Sequence, residues 1–175
     1  MKQILVVGGG LIGIRHLEAV KAHPECSLVG LVDPNMSLEI DALRFASMSE
    51  VDCPVDGVII ATPTRLHSAH GMEAAARGWP MLIEKPVAGS LQQARELAKV
   101  LQDHKIASLV GHHRRYHRVV QQLQSCLDSG QIGEVVTDAM VGRGLVFVYV
   151  SCMYRVCIVF VCGSVWWCVA VCSSV

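Results

Sequence analysis

Ile4-Leu5-Val6-Val7-Gly8-Gly9-Gly10-Leu11-Ile12-Gly13 is the stretch that decides the fold. Four unbroken apolar residues read as a short buried strand, and three glycines end it. From Leu11 to His23 the apolar residues return at helical spacing, with Leu11, Ile14, Leu17 and Val20 on one face. A strand that passes through glycines directly into a helix is the setting in which G-x-G-x-x-G has a mechanism. Gly8 allows the tight turn, Gly10 leaves room for a pyrophosphate to approach the backbone, and Gly13 lets the helix pack closely on the strand. The first helical turn, at Leu11 and Ile12, adds unpaired N–H groups and the positive end of a dipole.

The same alternation continues outward. Leu28–Val32, Val58–Ala61, Met81–Ile83, Ala107–Val110 and Val135–Met140 read as strands. Leu66–Arg77, a helix opened by Ser90-Leu91-Gln92-Gln93 and running to about Asp103, and Val119–Ser129 read as the helices between them. Strands alternating with helices predict an α/β fold, a Rossmann-like, doubly wound parallel sheet covered on both faces. In such sheets a ligand sits beyond the carboxyl ends of the strands. Polar punctuation falls at those ends: Gly8–Gly13, Asp33, Thr62-Pro63, Glu84-Lys85-Pro86 and His112–Arg115. Asp33 follows Gly13 by twenty residues and closes the second strand, so its carboxylate can accept from both ribose hydroxyls of an adenosine. An acid there repels a 2′-phosphate, which favours NAD; Arg15 near the loop keeps NADP open.

Composition bounds the rest. The 175 residues carry 15 acidic and 15 basic side chains, a balance unlike that of a protein held to nucleic acid by phosphate neutralisation. No secretory signal is expected ahead of the first strand, and the 8 cysteines show no C-x-x-C pair and no zinc spacing. A reducing, cytoplasmic setting with free thiols is expected. No metal is expected either: His112, His113 and His117 have no acid or cysteine beside them, and adjacent histidines cannot readily face one ion from a strand.

The triple of GxGxxG, Ala61-Thr62-Pro63-Thr64-Arg65-Leu66-His67 and Glu84-Lys85-Pro86 resembles the Gfo/Idh/MocA family of NAD(P)-dependent oxidoreductases over about residues 1–140. The resemblance implies a hydride transfer between nicotinamide and a carbon bearing a hydroxyl, on a sugar, inositol or related polyol. It implies that Lys85 is catalytic, touching the nicotinamide ribose and the substrate oxygen. An ammonium there stabilises a developing alkoxide and relays a proton. It implies a catalytic neighbourhood that includes His67, and cofactor contacts at Thr62, Pro63, Glu84, Pro86 and Arg115. The residue types alone leave simpler readings open: a solvated Lys85, a helix-start His67 without contacts, and a solvated Arg114–Arg115 pair. Pro86 fixes its turn, and the Lys85–Pro86 bond is a candidate cis peptide. The expected partner is a small-molecule substrate, and a homo-oligomer of the family type stays open.

Two departures from the family pattern stand out. Only a short segment separates Asp33 from Val58, and Met36–Asp41 is too short for a normal crossover helix. Either Leu43–Phe45 keeps a short strand, with Ser47–Val51 the remnant of the next helix, or the sheet loses a strand on the adenosine side. The second departure is the end. The expected organisation is a dinucleotide-binding domain over 1–133, the start of a second α+β domain over 134–141, and an apolar tail over 142–175. The aspartate and histidine that the resemblance places in the second domain have no match in the chain. All acidic residues lie at or before Asp138, and beyond Val141 the only charges are Arg143 and Arg155. Val, Cys, Trp, Phe, Leu and Gly dominate there, each with a codon written in G and T alone. Three readings stay open: translation of a G/T-rich stretch outside the normal frame, a membrane anchor in the uncharged run Val156–Cys172, or a genuine pair of strands.

Overall fold

In the computed structural model, Lys2–Val7 (β1) lies inside a parallel sheet built with Cys26–Val32 (β2), Arg44–Phe45 (β3), Gly57–Ile60 (β4), Met81–Ile83 (β5) and Ser108–Val110 (β6). The order is β3-β2-β1-β4-β5-β6, so the chain winds one way from β1 to β3 and the other way from β4 to β6. The structure describes residues 1–35, 40–131, 134–141, 145–152, 155–162 and 165–171, the last four stretches as backbone. Residues 36–39, within the segment too short for a crossover helix, lie outside the described residues.

Side-chain alternation in β1 explains the two-sided cover. Leu5 and Val7 join one apolar cluster with Val58, Ile60, Ile83, Ala74 and Leu97. Val6 joins another with Leu17 and Leu31. Neighbouring strand residues point to opposite faces, so an unbroken apolar run needs cover on both. Leu11–Ala22 (α1) supplies it on one side, burying Gly13, Leu17 and Val20. Thr64–Ala76 (α2) and Leu91–Asp103 (α3) supply it on the other, through Ala74 and Leu97. Gly71 is part of that fit, since a Cβ on it would stand 2.9 Å from Leu97 Cδ2. Ser90 caps α3, its side chain accepting from the Gln93 N–H at 3.2 Å, as the capping-box pattern predicts.

Two expectations change in detail. The buried face of α1 starts at Gly13 rather than Leu11, which is 72 % exposed. Gly13 must lie against the Gly8 carbonyl, and that contact sets the rotation of the helix. The strand after Asp33 survives as two residues: the Leu31 N–H donates to Leu43 O at 2.8 Å and the Asp33 N–H to Phe45 O at 2.9 Å. Gly30 makes this approach possible, because a Cβ on it would stand 2.7 Å from Leu43 O. A 3-10 turn, Met48–Glu50, replaces the following helix.

The chain divides into two compact units, Met1–His112 and His113–Val175. The second contains Arg118–Asp128 (α4) and four antiparallel strands, Glu134–Val141 (β7), Leu145–Cys152 (β8), Arg155–Cys162 (β9) and Val165–Val171 (β10), ordered β10-β9-β8-β7. The sheet that begins at β7 therefore continues through the apolar tail, and the uncharged run considered as a membrane helix is divided between β9 and β10. Among the described residues no helix is long and apolar enough to cross a membrane.

Candidate functional site

The carboxyl ends of β1, β2 and β4 meet at a cavity of about 750 Å³, within the range of cofactor pockets. Gly8, Gly9 and Gly10, Leu11 and Ile12, Asp33, and Thr62 and Pro63 line it. The turn that forms its floor depends on glycine at two places for steric reasons. Gly8 has φ +105° and lies against the Ala61–Thr62 peptide, which a Cβ would approach to 2.7 Å. Gly13 packs so closely on the Gly8 carbonyl that any Cβ would overlap it.

Gly10 differs. A Cβ there would meet nothing within 4 Å, so its bareness serves the cavity rather than the packing. Gly10 is also the N-cap of α1, has no side-chain capping bond, and is followed by no acid in the first turn. The first N–H groups of the helix are thus left to an outside acceptor, and the dipole favours an anionic one. Asp33 is held in place by the loop itself. Its Oδ2 accepts from the Gly9 N–H at 2.6 Å and its Oδ1 from the Asn35 N–H at 2.8 Å. Both oxygens keep a lone pair for a ligand's hydroxyls. A bare glycine cradle, an uncapped helix start and a fixed carboxylate fit a dinucleotide.

Four other expected residues, His67, Glu84, Lys85 and Pro86, are not among those that line the cavity. His67 is buried, with Nδ1 2.7 Å from Pro86 O and Nε2 2.7 Å from Thr62 O. The ring therefore bridges the loop after β4 and the turn after β5. The Lys85–Pro86 peptide is cis. Lys85 is exposed, and among the described residues no hydrogen bond engages its ammonium. Glu84 is buried against Gly111, whose missing Cβ would come within 2.8 Å of the carboxylate. One Glu84 oxygen lies 2.9 Å from His16 Nε2, and the other accepts from the Lys85 N–H at 3.2 Å. Arg115 belongs to the second unit, in the 3-10 turn His113–Tyr116, and its side chain lies outside the described residues. Among the described residues no group of histidine, cysteine, aspartate or glutamate could hold a metal ion, and Cys26, Cys53 and Cys126 are free thiols.

Sequence reasoning passed over His16, His70 and Glu73. His16 is three residues beyond Gly13 and so on the same side of α1. Leu66, His70 and Glu73 follow one another at intervals of four and three, one face of α2, and all three line the cavity. His70 Nδ1 lies 3.1 Å from Thr62 Oγ1. Burial holds the His70 imidazole below the usual histidine range; the Glu73 carboxylate opposes this and His67 reinforces it.

The Rhizobium meliloti rhizopine catabolism protein MocA is 30 % identical over 74 % of the chain and 43 % of its own length. The inositol 2-dehydrogenase of Rhizobium meliloti is 30 % identical over 79 % of the chain and 44 % of its own length. The solved myo-inositol 2-dehydrogenase of Lactobacillus plantarum superposes with a TM-score of 0.72 at 22 % identity, covering 77 % of this chain and 43 % of that one, which establishes the shared fold. The chain thus spans less than half the length of the relatives it matches. The family model described as the oxidoreductase family with an NAD-binding Rossmann fold matches residues 2–112, the stretch that builds the six-stranded sheet and its cavity. With that match over most of its length, the chain belongs to the Gfo/Idh/MocA oxidoreductases and carries their NAD-binding domain.

Proposed function

We propose that the chain is the cofactor-binding half of a cytoplasmic NAD(P)-dependent oxidoreductase that acts on a secondary hydroxyl of a sugar, inositol or related polyol. The cavity that runs unbroken from the glycine turn to Asp33 carries this reading. Gly8, Gly10 and Gly13 shape the turn, and the N–H groups of Leu11 and Ile12 receive the pyrophosphate. Asp33 receives the adenosine ribose. Thr62 and Pro63 line the path towards the nicotinamide. The bound dinucleotide supplies a two-electron redox couple.

Oxidising a hydroxyl also requires a place for its proton. Lys85 Nζ is the atom assigned to that transfer, at the end of β5 and on the same sheet edge as the cavity. Glu84 orients it through the Lys85 N–H and is itself steadied by His16. His67 acts as a positioning residue, because its ring is spent on the two carbonyls that join the Thr62 and Pro86 turns. Arg115 is assigned a cofactor contact on the family pattern alone. NAD is preferred to NADP because a 2′-phosphate would meet the Asp33 carboxylate.

Calorimetric titration of the chain with NAD and NADP tests the binding half of the reading; no heat with either sinks it. A panel of polyols with NAD, followed at the absorbance of the reduced nicotinamide, tests the chemistry. Turnover that disappears in Lys85→Ala supports it. Turnover that survives Lys85→Ala removes Lys85 from its role, and binding without any turnover would make the chain a dinucleotide-binding module.

A further inference from the structure

The cavity is also lined by Ala46, Ser47 and Met48 and by Leu66, His70 and Glu73 of α2. The two segments are tied together, since the Arg77 guanidinium at the end of α2 donates to Val51 O at 3.3 Å. Met48 and Leu66 are apolar, whereas His70 and Glu73 are not. A lining that joins apolar and polar side chains suits a flat ring with apolar faces and a polar edge.

Both polar groups are available to a ligand. The His70 ring is fixed through Nδ1 by the Thr62 hydroxyl at 3.1 Å, which leaves Nε2. Among the described residues no hydrogen bond or ion pair engages the Glu73 carboxylate. Partial burial favours the uncharged form of the His70 ring. In the tautomer whose Nδ1 accepts from the Thr62 hydroxyl, Nε2 carries hydrogen and donates. A carboxylate only accepts. In that tautomer His70 and Glu73 offer one donor and one acceptor, three residues apart on a helix face.

We propose that His70 and Glu73 read the base of the dinucleotide, selecting a 6-aminopurine over a 6-oxopurine. The edge of a 6-aminopurine carries an amino donor beside a ring-nitrogen acceptor, the complement of Glu73 and His70. A 6-oxopurine puts a carbonyl oxygen against the carboxylate and an N–H against the His70 donor. The inference rests on the dinucleotide reading above.

The test compares NAD with nicotinamide hypoxanthine dinucleotide by calorimetry, on the full chain and on Glu73→Gln. The parent should bind NAD at least about tenfold more tightly, the scale of one hydrogen bond to a charged group. Glutamine both donates and accepts, so Glu73→Gln should bring the ratio towards one, chiefly by tightening the 6-oxo analogue. Equal affinities in the parent overturn the inference while leaving the dinucleotide reading intact, and this measurement needs no variant. An unchanged ratio in a folded Glu73→Gln overturns it as well. Failure of the parent to bind either dinucleotide overturns both.

Discussion

At Gly10 a methyl group would meet nothing within 4 Å, whereas at Gly13 it would overlap the Gly8 carbonyl. The two glycines should therefore fail in different ways. Gly10→Asp should leave the melting temperature near that of the parent and abolish NAD binding, since it puts a side chain and a negative charge where the pyrophosphate approaches. Gly13→Val should unfold the turn, costing about 2 kcal/mol or more. Equal losses of stability in the two variants would contradict this division. His70 gives a second prediction. Burial lowers its folded pKa below the unfolded value of about 6.5, so the unfolded chain holds more protons in the window just below that value. The residue's contribution to stability is full above about pH 6.5 and is lost as pH falls through the window. Melting temperatures from pH 5 to 8 should show the parent-minus-variant difference for His70→Gln rising with pH and levelling off above 6.5. The glycine turn and Asp33 were legible because a motif at a strand end fixes their geometry. His70 and Glu73 were not, because their place depends on the rotation of α2 about its axis, set by Gly71 and Ala74 packing beneath it.

Elements were legible where an apolar run met clear punctuation. β5 and its Glu84-Lys85-Pro86 ending are an example, as is α3 with its Ser90 cap. The segment after Asp33 was less so, because β3 is only two residues long and has little apolar run to announce it. It persists through two backbone hydrogen bonds and through the space that Gly30 leaves. Gly30→Val should detach β3. The expected outcome is faster amide exchange at Leu31 and Asp33 and weaker NAD binding, because the Asp33 N–H loses the Phe45 carbonyl. Retained protection at both amides would show that β3 is held by something other than this approach.

At the scale of the molecule, every described residue that lines the cavity lies within Met1–His112, which also has its own core. The other unit ends its sheet in β10, an edge strand of uncharged residues, and such edges invite pairing with other chains. Removing 142–175 should raise the soluble yield and leave NAD affinity unchanged. Loss of folded protein on that truncation would show that the last three strands support the first unit. The order β3-β2-β1-β4-β5-β6 has a consequence for synthesis. Of the six strands β1 leaves the ribosome first, yet it sits in the interior of the sheet, and Ile4 pairs with both Leu28 and Gly57. A nascent chain that has released β2 can zip one side of β1, while the other side stays bare until β4 emerges. Translation pausing before Gly57 would hold Leu5, Val6 and Val7 in that half-zipped state, open to chaperones and to neighbouring nascent chains.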